Sequence, residues 1–187
     1  MNKQLILCLV LVLMSVMLLA DKVEKEQAEK PLQPRIEEIK PFVCIGLVAH
    51  SQDMQEIMAI WGKFFSIMDN LPESADDCIY GIHYPGEKYD PEMGEGYLYM
   101  VGIIPKDAEN LPEGFEVYNY PGGIHAVFEY KGAIEKIGDT YQYIYGEWLT
   151  SSDYKTEGSL VFEKYDERFK HGSEESITEI WLPIIKP

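Results

Sequence analysis

The chain has 187 residues, enough for one domain with a substantial core and an extra segment, and carries a formal charge of −16. That surface repels phosphate backbones and anionic headgroups, so no nucleic-acid partner is expected and a cationic or neutral ligand is the natural partner. Thirteen Tyr, seven Phe and three Trp supply aromatic surface that cores and pockets both use.

Residues Leu5 to Ala20 form an apolar run interrupted only by Ser15 and preceded by Lys3. As a helix it reaches roughly 24 Å, short of a ~30 Å hydrocarbon core. This predicts residues 1–20 to be a signal peptide or N-terminal membrane anchor. The mature part is then extracytoplasmic, either secreted or tethered to the cytoplasmic membrane. Residues 21–38 are charged and broken by Pro31 and Pro34, which reads as a linker, with the folded domain spanning 39–187. Cys44 and Cys78 sit in apolar strand-like runs; two buried thiols are expected, although an exported protein could bridge them. They have no His partners at ligand spacing, so no metal or cofactor is expected.

Strands are predicted at Phe42–Ala49, Cys78–Tyr84, Tyr97–Ile104, Phe115–Tyr120, Ile124–Tyr130, Leu160–Tyr165 and Ile177–Leu182, the last ended by Pro183. A capping box at Asp53-Met54-Gln55-Glu56 opens a helix bearing Ile57, Trp61, Phe64, Phe65 and Met68 on one stripe. A second helix, Ala133–Thr150, carries Ile137, Tyr141, Ile144, Tyr145 and Trp148. A shift of 80 residues superimposes the two stripes, and also lays Tyr99-Met100-Val101 on Glu179-Ile180-Trp181. The fold class is therefore α+β: a duplicated strand-helix-strand-strand unit with pseudo-twofold symmetry, giving an antiparallel sheet, two helices and a central groove.

Strand parity sorts side chains by face. Val161, Glu163 and Tyr165 share one, as do Glu179 and Trp181, as do Tyr97, Tyr99 and Val101, and as do Tyr80, Ile82 and Tyr84. If these faces meet, they wall a groove of tyrosines and Trp181 charged by Glu163 and Glu179. Opposite parity places Phe162, Ile180, Leu182, Leu98 and Met100 against the helices. Taken singly, each tyrosine reads as lining a half-exposed sheet, and the helical aromatics Trp61, Phe65, Tyr141, Tyr145 and Trp148 read as core. The four histidines have no triad spacing and read as surface or strand residues.

Three segments carry a resemblance: Pro121-Gly122-Gly123-Ile124-His125-Ala126-Val127-Phe128 followed by Gly132, Phe162-Glu163-Lys164-Tyr165, and Glu179-Ile180-Trp181-Leu182-Pro183-Ile184. With Trp148-Leu149 and Ile79-Tyr80-Gly81 they resemble the GyrI-like, or AraC-type effector-binding, family, and most its integron-associated branch. The resemblance implies a groove for lipophilic, often cationic, small molecules, with the pocket acid at Glu163 and the terminal-strand acid and aromatic at Glu179 and Trp181. Candidate ligand-binding residues are thus Glu163, Glu179, Trp181, Tyr80, Tyr99, Tyr165, Trp61, Phe128, Tyr145 and Trp148. No basic helix-turn-helix precedes them, so a standalone extracytoplasmic sensor or sequestering module without an obligate protein partner is expected. The alternative is a hydrolase of strained, cyclopropane-type electrophiles using the same carboxylates, without a dedicated catalytic nucleophile.

Overall fold

The computed structural model describes residues 32–90, 92–93, 95–108, 111–156 and 160–185. The expected export segment and most of the expected linker lie outside them. In chain order the elements are β1 (Arg35–Ile39), β2 (Phe42–His50), α1 (Met54–Ser66), β3 (Ile79–Asp90), β4 (Glu95–Ile103), β5 (Glu116–Tyr120) and β6 (Gly123–Lys131). A helical run follows: a 3₁₀ turn at Ile134–Lys136, α2 (Ile137–Tyr143), a π-helical segment at Ile144–Trp148, and α3 (Leu149–Ser151). Then come β7 (Lys155–Thr156), β8 (Val161–Tyr165) and β9 (Ile177–Ile185).

The antiparallel sheet runs in the order β1-β6-β9-β8-β3-β4-β2-β5, with β7 pairing β9 outside that path. This order is a palindrome of the internal repeat: β1 and β5 begin 81 residues apart, as do β2 and β6, while β3 and β8 begin 82 apart. Equivalent strands β3 and β8 pair with each other at the centre. Each repeat also lends its first strand to the other, because β1 pairs β6 and β5 pairs β2. The folded unit therefore takes in Arg35–Ile39, which the sequence assigns mostly to the linker. The three charged residues of Arg35-Ile36-Glu37-Glu38-Ile39 suit an edge strand and hide it from a search for apolar runs.

The two ends of the sheet are joined through Lys40-Pro41 and Pro121-Gly122, so the sheet curls and one face becomes an aromatic interior. Phe162 lies at its middle, stacked on Trp181 at 5.3 Å and edge-on to Tyr120 at 5.1 Å and Phe42 at 6.0 Å. Tyr80, Tyr84, Met100 and the thiols of Cys44 and Cys78 complete this core. Gly122, at φ 75°, makes the tight turn; a Cβ there would sit 2.7 Å from the Ile39 carbonyl. The other face meets the helices, with Phe64 of α1 buried on Ile45, Leu47, Val101 and Phe115. Asp53 caps α1 by accepting from the Gln55 and Glu56 amides. Glu56 does not close the expected box: its carboxylate accepts from the His50 amide instead. Pro183 does not end β9. It falls between Trp181, paired to β8, and Ile184, paired to β7, so its missing donor breaks no ladder on that edge.

Candidate functional site

A cavity of about 650 Å³ opens between α1, the helix-facing side of the sheet and the segment leading into α2. The apolar wall comes from α1, through Ile57, Met58, Trp61 and Phe65, and from Ile134 and Ile137 opposite; Phe169 and His171 line it from the loop before β9. The floor is Tyr99, Glu163, Tyr165 and His83. Helix α1 suits this role because it buries only Phe64, leaving Met54 and Met58 66% and 69% exposed at the mouth. The volume lies within the ~300–1,000 Å³ of sites that enclose drug-sized ligands.

Glu163 is 7% exposed and is held by tyrosines. Tyr165 donates to its Oε2 at 2.6 Å and Tyr141 to its Oε1 at 2.8 Å; Tyr99 stands at 3.5 Å and accepts from Trp61 Nε1 at 3.1 Å. Burial first, and the Glu163 charge second, raise the ionisation of all three hydroxyls well above the ordinary phenol value. They remain protonated donors. No lysine or arginine lines the cavity among the described residues. The carboxylate is therefore fixed and hydrogen-bonded but without a cation.

Its position follows from the repeat. Gly81 pairs with Glu163 where the equivalent strands β3 and β8 meet. A Cβ on Gly81 would lie 2.3 Å from the Tyr99 hydroxyl and 3.0 Å from Glu163 Oε2. Only a side chain of no size at 81 lets Tyr99 approach the acid.

The predicted groove residues divide between two faces. Glu163, Tyr99, Tyr165 and Trp61 come together as expected. Glu179, Trp181 and Tyr80 do not join them. Phe162 pairs with Trp181 and Glu163 with Ile180, which turns Glu179 and Trp181 to the aromatic interior. There Glu179 receives Arg35 at 2.9 Å, Arg168 at 2.8 Å and Trp181 Nε1 at 3.0 Å. Tyr80 donates to Asp76 on that same side. Phe162, Leu98 and Met100, expected against the helices, belong to that interior as well. For Glu179 and Trp181 the cause is a one-residue slip, whereas Tyr80 faces away because its neighbour Gly81 is the residue opposite Glu163. Val101 pairs with Gly81 and Leu47, as Ile180 pairs with Glu163 and Phe128, so Val101 corresponds to Ile180 and not to Trp181.

Phe128 and Trp148 are fully or nearly buried and pack edge-on at 5.0 Å beneath the helical run, outside the cavity lining. Tyr145 is 39% exposed and stacks on Tyr141. Around the acid, the sequence did not single out Tyr141, which bonds it, or His83, which lines the floor; the apolar wall from Ile57, Met58, Phe65, Ile134, Ile137 and Phe169 was not named among the candidates either. His83 had a signal, since it stands two places from Gly81 and shares its face.

A family model described as GyrI-like small molecule binding domain matches residues 32–185. The chain belongs to the GyrI-like family. Among curated proteins it is 28% identical over 126 residues to the transcriptional regulator BrlR of Pseudomonas aeruginosa, covering 62% of this chain and 47% of the regulator. It thus spans about half the length of that relative. Among solved structures it is similar to SAV2435 bound to tetraphenylphosphonium, with a TM-score of 0.64 and 18% identity over 82% of this chain and 94% of that one. It is likewise similar to the Vibrio cholerae integron cassette protein VCH_CASS2, with a TM-score of 0.62 and 16% identity over 82% of this chain and 96% of the other. At these identities the likeness shows the fold. In this GyrI-like domain, the cavity with its acid is the feature that supports small-molecule binding.

Proposed function

We propose that this GyrI-like domain binds lipophilic organic cations in the cavity under α1, with Glu163 as counter-charge. The observation that carries this reading is the Glu163 carboxylate: 7% exposed, fixed by tyrosine hydroxyls and lacking a cationic partner among the described residues. A carboxylate removed from water costs free energy that a desolvated cation offsets. Aromatic and thioether side chains around it suit a bulky apolar cation through stacking and cation–π attraction. SAV2435 binding tetraphenylphosphonium supports the same ligand class. The module works outside the cytoplasm, sequestering or sensing its ligand. That part rests on the apolar run Leu5–Ala20, which lies outside the described residues; cell fractionation tests it. The binding itself is tested by titrating tetraphenylphosphonium and the neutral triphenylphosphine oxide against tryptophan fluorescence, with Trp61 the tryptophan that lines the cavity. Tighter binding of the cation is expected, and equal affinity refutes the role of Glu163.

A further inference from the structure

His83 lines the same cavity as Glu163, with its ring 4.7 Å from that of Tyr99. Its Nδ1 lies 2.8 Å from the Ser51 hydroxyl, just before α1. Its Nε2 makes no hydrogen bond among the described residues. The groups around it come from every neighbouring element. Tyr99 faces it from β4, and Glu163 and Tyr165 lie on β8; Tyr141 reaches Glu163 from α2. The lining of α1 brings Met, Ile, Trp and Phe without a charge, while Glu135 and His171 stand in the solvated part of the lining. The floor thus holds one carboxylate and one group able to become a second cation.

We propose that His83 couples ligand occupancy to a proton: an imidazolium at position 83 and a cationic ligand compete for Glu163, so acid releases the ligand. This rests on the reading of the cavity as a cation site. Burial holds the His83 imidazole below its ordinary value, against the opposing pull of Glu163. The empty site at neutral pH therefore contains the neutral ring, and a cation enters without displacing a proton. Below the His83 midpoint the ring is charged, and each bound cation must expel that proton. Linkage is reciprocal, so the cation lowers the midpoint by the same factor by which protonation weakens the cation. Affinity then falls by at most about tenfold per pH unit on the acid side. A neutral ligand of similar shape does not feel this competition.

The test is calorimetric titration of tetraphenylphosphonium and triphenylphosphine oxide between about pH 8 and about pH 5, the range in which imidazoles titrate. Wild type and His83→Gln are compared, with proton release read from buffers of different ionisation heat. Wild type should lose cation affinity on acidification and release about one proton per ligand; His83→Gln should do neither. An acid limb that persists in His83→Gln, as protonation of Glu163 alone would give, overturns the assignment, as does a pH-independent wild type. The imidazole Hε1 signal of His83 reads its midpoint without substitution, and a midpoint unmoved by ligand also overturns it. If cation and neutral oxide bind equally at the alkaline end, the cation-site reading itself fails, and the two failures are told apart there.

Discussion

Replacing Glu163 by Gln keeps the shape of the floor and removes its only charge. A bulky cation resting on Trp61 and Tyr165 brings its charge centre to about 5 Å from the carboxylate, worth about 3 kcal/mol at an effective dielectric near 20. The tyrosine O–H dipoles aimed at Glu163 (2.6 Å from Tyr165, 2.8 Å from Tyr141) screen part of that field. The net loss is therefore about 2–3 kcal/mol, or about 30- to 150-fold in Kd. Triphenylphosphine oxide should bind both proteins within about twofold, since its interaction is burial and stacking. Stability moves the other way: a buried charge without a cation is replaced by a neutral amide that the same hydroxyls satisfy, so Tm should stay level or rise. Calorimetry on both proteins with both ligands, plus a thermal melt, measures all of this. Equal losses for cation and neutral oxide would mean that Glu163 shapes the cavity and does not supply charge, and the electrostatic reasoning would be wrong.

Gly81→Ala drives a methyl to 2.3 Å from the Tyr99 hydroxyl; we expect a loss of about 1–3 kcal/mol in denaturant melts and weaker cation binding together. Glu179→Gln breaks the contacts of Arg35, Arg168 and Trp181 and should cost about 1–3 kcal/mol, less than a fully buried pair because both arginines are about one-third exposed. Its cation affinity should match wild type, and a selective loss there would return Glu179 to the site. Tyr120→Phe removes the donor to His125 Nε2, 2.7 Å away. The ring's other nitrogen is committed to the Gly123 carbonyl, so a buried acceptor is stranded at about 1–3 kcal/mol. Arg168 hydrogen-bonds Asp166 and holds its carboxyl below the usual range. That stability is present above the unfolded value of about 3.9 and lost as pH falls through the lower folded value. The Tm gap between wild type and Arg168→Met should therefore narrow on acidification.

The elements were legible because their patterns are strong: the apolar runs of β2, β6 and β9, the stripe of α1, and the repetition itself. The helical run was legible in extent, although nothing in Ile144–Trp148 announces a π-helical turn. β1 was missed for want of apolar residues, yet the repeat contained it, since β5 at Glu116–Tyr120 has its counterpart 81 residues earlier. For the site, parity within each strand held: Glu163 with Tyr165, Glu179 with Trp181. What single strands cannot carry is their register against each other, and a shift of 80 where the ladder pairs Val101's place with Ile180 moved a whole strand to the wrong face. Gly81 was the correcting signal, a residue without a side chain in the middle of an aromatic strand.

The duplication also explains why the floor of the site holds one acid. Where β3 meets β8, the symmetric choice would place two carboxylates opposite each other, and like charges at such distance cannot both ionise. The chain breaks the symmetry with Gly81 on one side and Glu163 on the other, and fills the vacated space with the Tyr99 hydroxyl. Glu163 thereby faces no second acid across the ladder, with its donors contributed from α2, β4 and β8, while α1 contributes through Trp61. An ammonium partner in the same place would neutralise the acid and abolish its pull on a cation; hydroxyl dipoles hold its geometry and leave its net charge intact. Selectivity for dispersed over compact cations follows, because the methionine, phenylalanine and tryptophan side chains that α1 contributes offer no oxygens to replace the hydration shell of a small ion. Potassium should therefore compete weakly with tetraphenylphosphonium even at large excess. Effective competition by potassium in the fluorescence titration would show the cavity to be a general acidic cleft.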